Sequence, residues 1–221
     1  MKKFLIPILA GFLSLVTACD FEDVFEQSNV FDIVTYTEGL LVNDYGNRYN
    51  VIASDLKTES WRQEGKRYYA VFDIKNRMLD ITLRDLHEMQ VYAPAPLDED
   101  CYVSDPVIGQ LGALSGGYFN LILRSFRDKK SDYPHHLSFR YEQKEDILKL
   151  YVIYDGNGEN PVEYEDKYQL ETVTSYFSIL LPTDENSQLS QLKVILTEFK
   201  KEADQSYSIQ EKEYSYTLHR P

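Results

Sequence analysis

An all-β chain of two modules is what the sequence predicts, from three observations. Short apolar or alternating runs are separated by turn chemistry along nearly the whole chain, aromatic residues reach 14% with 18 tyrosines, and a proline segment divides the runs into two series. Tyrosine-rich, β-branched runs of this length suit the pleated surface of a sheet, and helical periodicity is scarce. Of 221 residues, 43% are hydrophobic, enough for two small cores.

The chain begins with a leader. Lys2 and Lys3 form a positive n-region, Phe4 to Val16 an apolar run, and Thr17 and Ala18 put small residues before Cys19. The apolar run is 13 residues long, short of the roughly 20 that cross a bilayer. Val16-Thr17-Ala18-Cys19 resembles the lipobox at which bacteria lipidate and cleave a lipoprotein precursor, which implies residues 1–18 as a signal peptide and lipidation at Cys19. An ordinary secretory peptide followed by a chance cysteine is the competing reading. Each buried acyl CH₂ contributes about 0.8 kcal/mol, so several chains on one residue make a lasting membrane tether. Residues 19–29 follow as an acidic tether. In Bacteroidetes-type lipoproteins an acidic stretch like Asp20-Phe21-Glu22-Asp23 resembles a surface-export signal, and in enteric bacteria Asp after the cysteine resembles a retention signal. The expected location is the outer membrane, facing the cell surface.

Charge narrows the partners. The net charge is −13, and cleavage of the leader removes two lysines and no acid. Phosphate binding depends on clustered Lys and Arg, so nucleic acid is not an expected partner. With Cys19 lipidated, Cys101 has no partner for a disulfide within the chain, and it reads as a small packed side chain.

From residue 30 to 93 the runs are Phe31 to Glu38, Leu40 to Val42, Tyr49 to Ala53, Tyr68 to Ile74 and Ile81 to Tyr92. Asn43 to Asn47 marks a hairpin with a bulged loop. In the last run Leu83, Leu86, His87 and Gln90 also fit one face of a helix. Five strands in so short a span suit a small OB-like Greek-key barrel. Residues 94–104 read as a linker, because Pro94 and Pro96 cannot donate to a sheet ladder.

From 105 to 221 a second series predicts an antiparallel β-sandwich. Ser115-Gly116-Gly117 joins Val107 to Leu114 with Tyr118 to Phe126. Lys144-Glu145-Asp146 joins His136 to Gln143 with Ile147 to Tyr154. Further strands are Ser175 to Leu181, Leu192 to Phe199 and Tyr214 to Leu218. Ile147 to Tyr154 is apolar enough to predict a central strand covered on both faces. Leu114 to Leu121, the His136-Leu137-Ser138-Phe139 strand and Tyr154 to Pro161 together resemble the carboxy-terminal module of NigD-like lipoproteins of Bacteroidetes, whose layout of lipobox, OB-like module and sandwich is similar to this chain's. The family takes its name from a bacteriocin operon, so the resemblance also implies an immunity or inhibitor role as an alternative.

Candidate sites are few. Asp155, Asn157 and Glu159, with Glu163, Glu165 and Asp166 behind them, place oxygen ligands at alternating positions that Ca²⁺ could use, although Asn160 stands where an EF-hand loop has glycine. A solvated hairpin loop explains the same residues. His135 and His136 are adjacent, and neighbours on a strand point to opposite faces, against a shared metal. Trp61, Tyr68 and Tyr69 suggest an aromatic platform for sugar rings, as do Tyr164, Tyr168 and Tyr176, with core packing as the plain alternative. The sequence holds no phosphate loop, G-x-S-x-G, H-E-x-x-H or C-x-x-C. The expectation is a non-enzymatic envelope lipoprotein without cofactor that binds a surface protein or glycan, with an envelope enzyme or immunity protein as the alternative.

Overall fold

A computed structural model describes residues 26–98, 103–162, 170–182, 189–203 and 206–218. The leader, Cys19, Cys101, Tyr164 and Tyr168 lie outside the described residues, as do Glu163, Glu165 and Asp166. Every regular element described is a strand, and the chain parts into two compact units between Leu86 and His87.

The first unit is a closed five-stranded barrel built from β1 (Gln27–Thr37), β2 (Leu40–Asn43), β3 (Arg48–Ser54), β4 (Arg67–Ile74) and β5 (Asp80–Glu88). Its order is β1-β2-β3-β5-β4, with β3 and β5 parallel and β4 returning antiparallel to β1. That is the Greek-key arrangement of an OB-like barrel. Glu38 and Gly39, both at positive φ, make the two-residue turn between β1 and β2. At the next turn the Asn43 side chain accepts the Tyr45 and Asn47 N–H groups, as asparagine does in hairpin loops. Inward residues Val34, Leu41, Phe72, Ile81 and Leu83 fill the barrel. Ile81 and Leu83 alternate as a strand requires, which removes the helical option for this run. β1 starts at Gln27, so the last residues assigned to the tether belong to the barrel.

The second unit stacks two sheets. One has five strands in the order β14 (Tyr207–Thr217), β13 (Gln191–Lys201), β11 (Ile147–Asp155), β10 (His136–Lys144) and β7 (Ala95–Pro96). The other runs β6 (Gln90–Tyr92), β12 (Leu170–Leu180), β9 (Tyr118–Asp128) and β8 (Gly109–Ser115). Most neighbours are antiparallel, and β6/β12, β7/β10 and β11/β13 are parallel. Phe119, Leu121, Phe139, Leu148, Leu150 and Ile179 are among the fully or nearly buried side chains between the sheets.

Two expectations are corrected here. The proline segment is not a free linker, because Ala95 and Pro96 form a short edge strand on β10 and the Leu97 N–H donates to the Tyr141 carbonyl at 2.8 Å. Proline is tolerated because it sits at an edge, where a missing N–H breaks no second ladder. The two compact units divide between Leu86 and His87. The central strand β11 buries only Leu148, Leu150, Val152 and Tyr154, while Ile147, Lys149, Tyr151 and Ile153 are half-exposed on the other face.

Candidate functional site

Along β9 the side chains facing the opposite sheet run Phe119, Leu121, Leu123, Ser125 and Arg127, from core to rim. On β12 the matching series is Val173, Ser175, Phe177 and Ile179, with Val173 opposite Ser125 and Ser175 opposite Leu123. Two serines thus interrupt the apolar face side by side. Their small side chains leave a cavity of about 310 Å³ at this end of the sandwich, at the lower end of the range for small-molecule pockets. Tyr92 and Gln90 of β6 close one side, and Pro134, His136, Leu137 and Tyr154 close it from the other sheet.

His135 sits in the cavity wall with both ring nitrogens engaged. Nε2 lies 2.9 Å from Glu159 Oε2, and Nδ1 meets the Tyr154 hydroxyl at 2.5 Å. With the proton on Nε2 donated to the carboxylate, the Tyr154 O–H donates to Nδ1, a chain of carboxylate, imidazole and phenol. Glu159 is 5% exposed and also accepts the Asp128 N–H at 2.7 Å. Burial works against its charge, but the Ser131 hydroxyl, the Asp128 N–H and His135 outweigh burial and hold its carboxyl below the usual range. Burial pushes the Tyr154 hydroxyl up, and the negative Glu159 and Asp105 add to the rise, so it stays protonated.

The loop carrying Glu159 folds around an anion of the protein's own. The Gly156 and Gly158 N–H groups both donate to Asp105 Oδ2, at 2.8 and 3.2 Å. The inside of the loop is therefore lined by donors, the opposite of what a cation needs. Asp155 accepts the Asn157 N–H on one oxygen and the Tyr133 hydroxyl on the other, while Glu159 turns inward to His135. Asp155, Asn157 and Glu159 do not converge on one point, and among the described residues no group of three His, Cys, Asp or Glu is placed to hold a metal. Gly156 is required for packing, since a Cβ there would stand 2.7 Å from Tyr154 Cε1.

The aromatic candidates are also separated. Trp61 and Tyr68 are buried in the barrel, the Tyr68 hydroxyl donating to the Trp61 carbonyl at 2.6 Å and Tyr36 packing edge-on to Trp61. Tyr69, one residue along β4, points outward and stacks on the exposed Phe31 at 6.1 Å. These three residues form no single platform. Tyr176 lies against His87, rings parallel at 4.5 Å. Sequence reasoning weighed His135 and His136 as metal ligands and as distant bases for Cys101, and missed Ser125, Ser175, Arg127 and Tyr154. The interruption of an inward apolar series by serine was the available signal.

No family model matches the chain, and no curated protein matches it in sequence. Solved structures share its fold. A protein of unknown function, DUF1344, from Bacteroides vulgatus ATCC 8482 superposes with a TM-score of 0.62 at 18% identity, over 88% of this chain and 92% of that one. A NigD-like immunity protein from Bacteroides caccae ATCC 43185 gives 0.58 at 16% identity, over 87% and 99%. A candidate lipoprotein from Bacteroides fragilis NCTC 9343 gives 0.54 at 12%, over 88% and 99%. The barrel-plus-sandwich layout is thus shared with a NigD-like protein, in line with the resemblance read from the sequence.

Proposed function

We propose that this chain is a non-enzymatic envelope lipoprotein, held in the outer membrane by lipid at Cys19 and facing the cell surface, where the sandwich-end cavity binds a glycan or a projecting group of a surface protein. The carrying observation is the engagement of both His135 nitrogens by Glu159 and Tyr154. A general base needs a nitrogen directed at the reacting proton. Here the imidazole is a fixed part of the wall, and the cavity around it offers hydroxyl, amide and aromatic surfaces suited to binding. The lipobox-like Val16 to Cys19 and the fold shared with the B. fragilis candidate lipoprotein support the anchor. The B. caccae likeness favours a second reading, in which the bound partner is a bacteriocin and the role is immunity.

Whole cells making the native protein or Cys19→Ala are treated with external protease, and the native lipoprotein is probed on an array of envelope glycans. Loss of the native band and array binding abolished by Ser175→Leu, which fills the cavity, are the expected results. Protection from protease overturns surface exposure. Unchanged binding in Ser175→Leu removes the cavity from the reading.

A further inference from the structure

We propose that the ligand of the cavity is an acidic sugar, a hexuronate ring whose carboxylate is met by Arg127 and His136. The inference rests on the reading of the cavity as the binding site and adds the ligand's chemistry. Its basis is a local reversal of charge. The chain carries 36 acids against 23 Lys and Arg, yet none of the 13 residues lining the cavity is Asp or Glu, while one arginine and two histidines are among them. Glu159 stands behind His135 and is held by it, and Glu171, opposite Arg127 in the β9/β12 register, is solvent-exposed.

Several basic groups elsewhere are neutralised locally. Arg67 pairs with Asp44, Arg84 with Asp73 and Lys212 with Glu198. Among the described residues Arg127 and His136 have no carboxylate at ion-pairing distance, and Arg127 is exposed at the rim. A guanidinium in this position can take a carboxylate in a forked, charge-assisted pair. The other walls select the body of the ligand. Phe177, Val173 and Leu137 offer an apolar surface for the C–H face of a pyranose, and Gln90, Ser125 and Ser175 offer partners for its hydroxyls. An aspartyl or glutamyl side chain carries the same carboxylate, but its aliphatic stem leaves those polar groups without partners, which disfavours it.

Calorimetric titration of the full lipidated chain in detergent tests this with three probes: D-glucuronate, D-glucose and N-acetyl-glutamate. Glucuronate is expected to bind at least about tenfold more tightly than glucose, a preference that Arg127→Gln removes. Its affinity is also expected to fall with added salt. Equal binding of glucuronate and glucose, both lost in Ser175→Leu, overturns the acidic ligand and leaves the cavity as a sugar site. Preference for N-acetyl-glutamate assigns the site to a peptide acid and overturns the sugar. Binding of none of the three overturns this proposal and the sugar side of the cavity reading together.

Discussion

His135 and Glu159, 24 residues apart, meet at 2.9 Å in the wall of the cavity, and the same Glu159 oxygen accepts the Asp128 N–H. One carboxylate thereby ties the segment before β10, the end of β9 and the loop after β11. Its depressed native pKa makes this knot sensitive to acid.

At low pH the sign of that sensitivity is fixed. A carboxylate with a lower pKa in the folded than the unfolded state binds fewer protons when folded, so its contribution is complete above the ordinary glutamate midpoint of about 4.5 and is lost as pH falls through the depressed native value. Urea denaturation of the native chain and Glu159→Gln between pH 3 and 7 is expected to show the variant less stable at neutral pH and the gap closing below about 4.5. A constant gap across that range would show that the ionised carboxylate is not what stabilises the knot.

Much of this architecture was legible in the sequence because its signals are local. Gly116-Gly117 and the Asn43 to Asn47 turn fix two hairpins, and the aromatic-rich apolar run Tyr68 to Ile74 marks a barrel strand. What escaped depends on contacts distant along the chain. Pro94 and Pro96 look like a linker until β10 supplies an edge for Ala95, and Ile147 to Tyr154 looks doubly covered because Ile147, Tyr151 and Ile153 are apolar at half-exposed positions. The cavity was hidden for the same reason. Ser125 and Ser175 are 50 residues apart and become neighbours only through the β9/β12 register, one diagonal to the other.

Two glycines of β8 provide a paired test of packing. A Cβ on Gly112 would lie 2.4 Å from Phe119 Cζ and 2.6 Å from the Tyr216 hydroxyl oxygen, whereas one on Gly109 meets nothing within 4 Å. Phe119 is fully buried and held edge-on by Tyr216 at 5.1 Å, so it has little room to yield. Gly112→Ala is expected to lose about 1–3 kcal/mol by overpacking. Gly109→Ala is expected to stay within about 0.5 kcal/mol of the native chain. Denaturant midpoints for the two variants decide the matter, and equal midpoints would contradict the close approach at Gly112.

In the barrel, Arg67 and Asp44 form two parallel hydrogen bonds of 2.8 Å with both side chains nearly buried, at 6% and 8% exposure. Removing one partner leaves the other charge buried and uncompensated, at a cost of about 3–5 kcal/mol. Asp44→Ala and Arg67→Ala are each expected to destabilise by that order, and the double variant by clearly less than their sum. A double-mutant cycle read by thermal unfolding measures the coupling, and additive losses would show that the pair acts as two independent side chains.

The turn between β10 and β11 is a place where the sequence opposes its own backbone. Lys144 pairs with Ile147, leaving Glu145 and Asp146 as a two-residue loop, and Glu145 has φ of 56°. Positive φ at the first loop position is where a type II′ hairpin takes glycine. A side chain in that conformation costs about 1–2 kcal/mol, and glycine gives back part of the relief through its greater freedom in the unfolded chain. The equivalent loop between β8 and β9 already has glycine at both positions, Gly116 and Gly117, each at positive φ. Glu145→Gly is therefore expected to stabilise the sandwich by about 0.5–1 kcal/mol, while Gly117→Glu, placing a side chain at φ of 80°, destabilises it by more. Urea unfolding followed by tyrosine fluorescence compares them, and a loss of stability in Glu145→Gly would mean that contacts of the glutamate side chain outweigh the strain in its backbone.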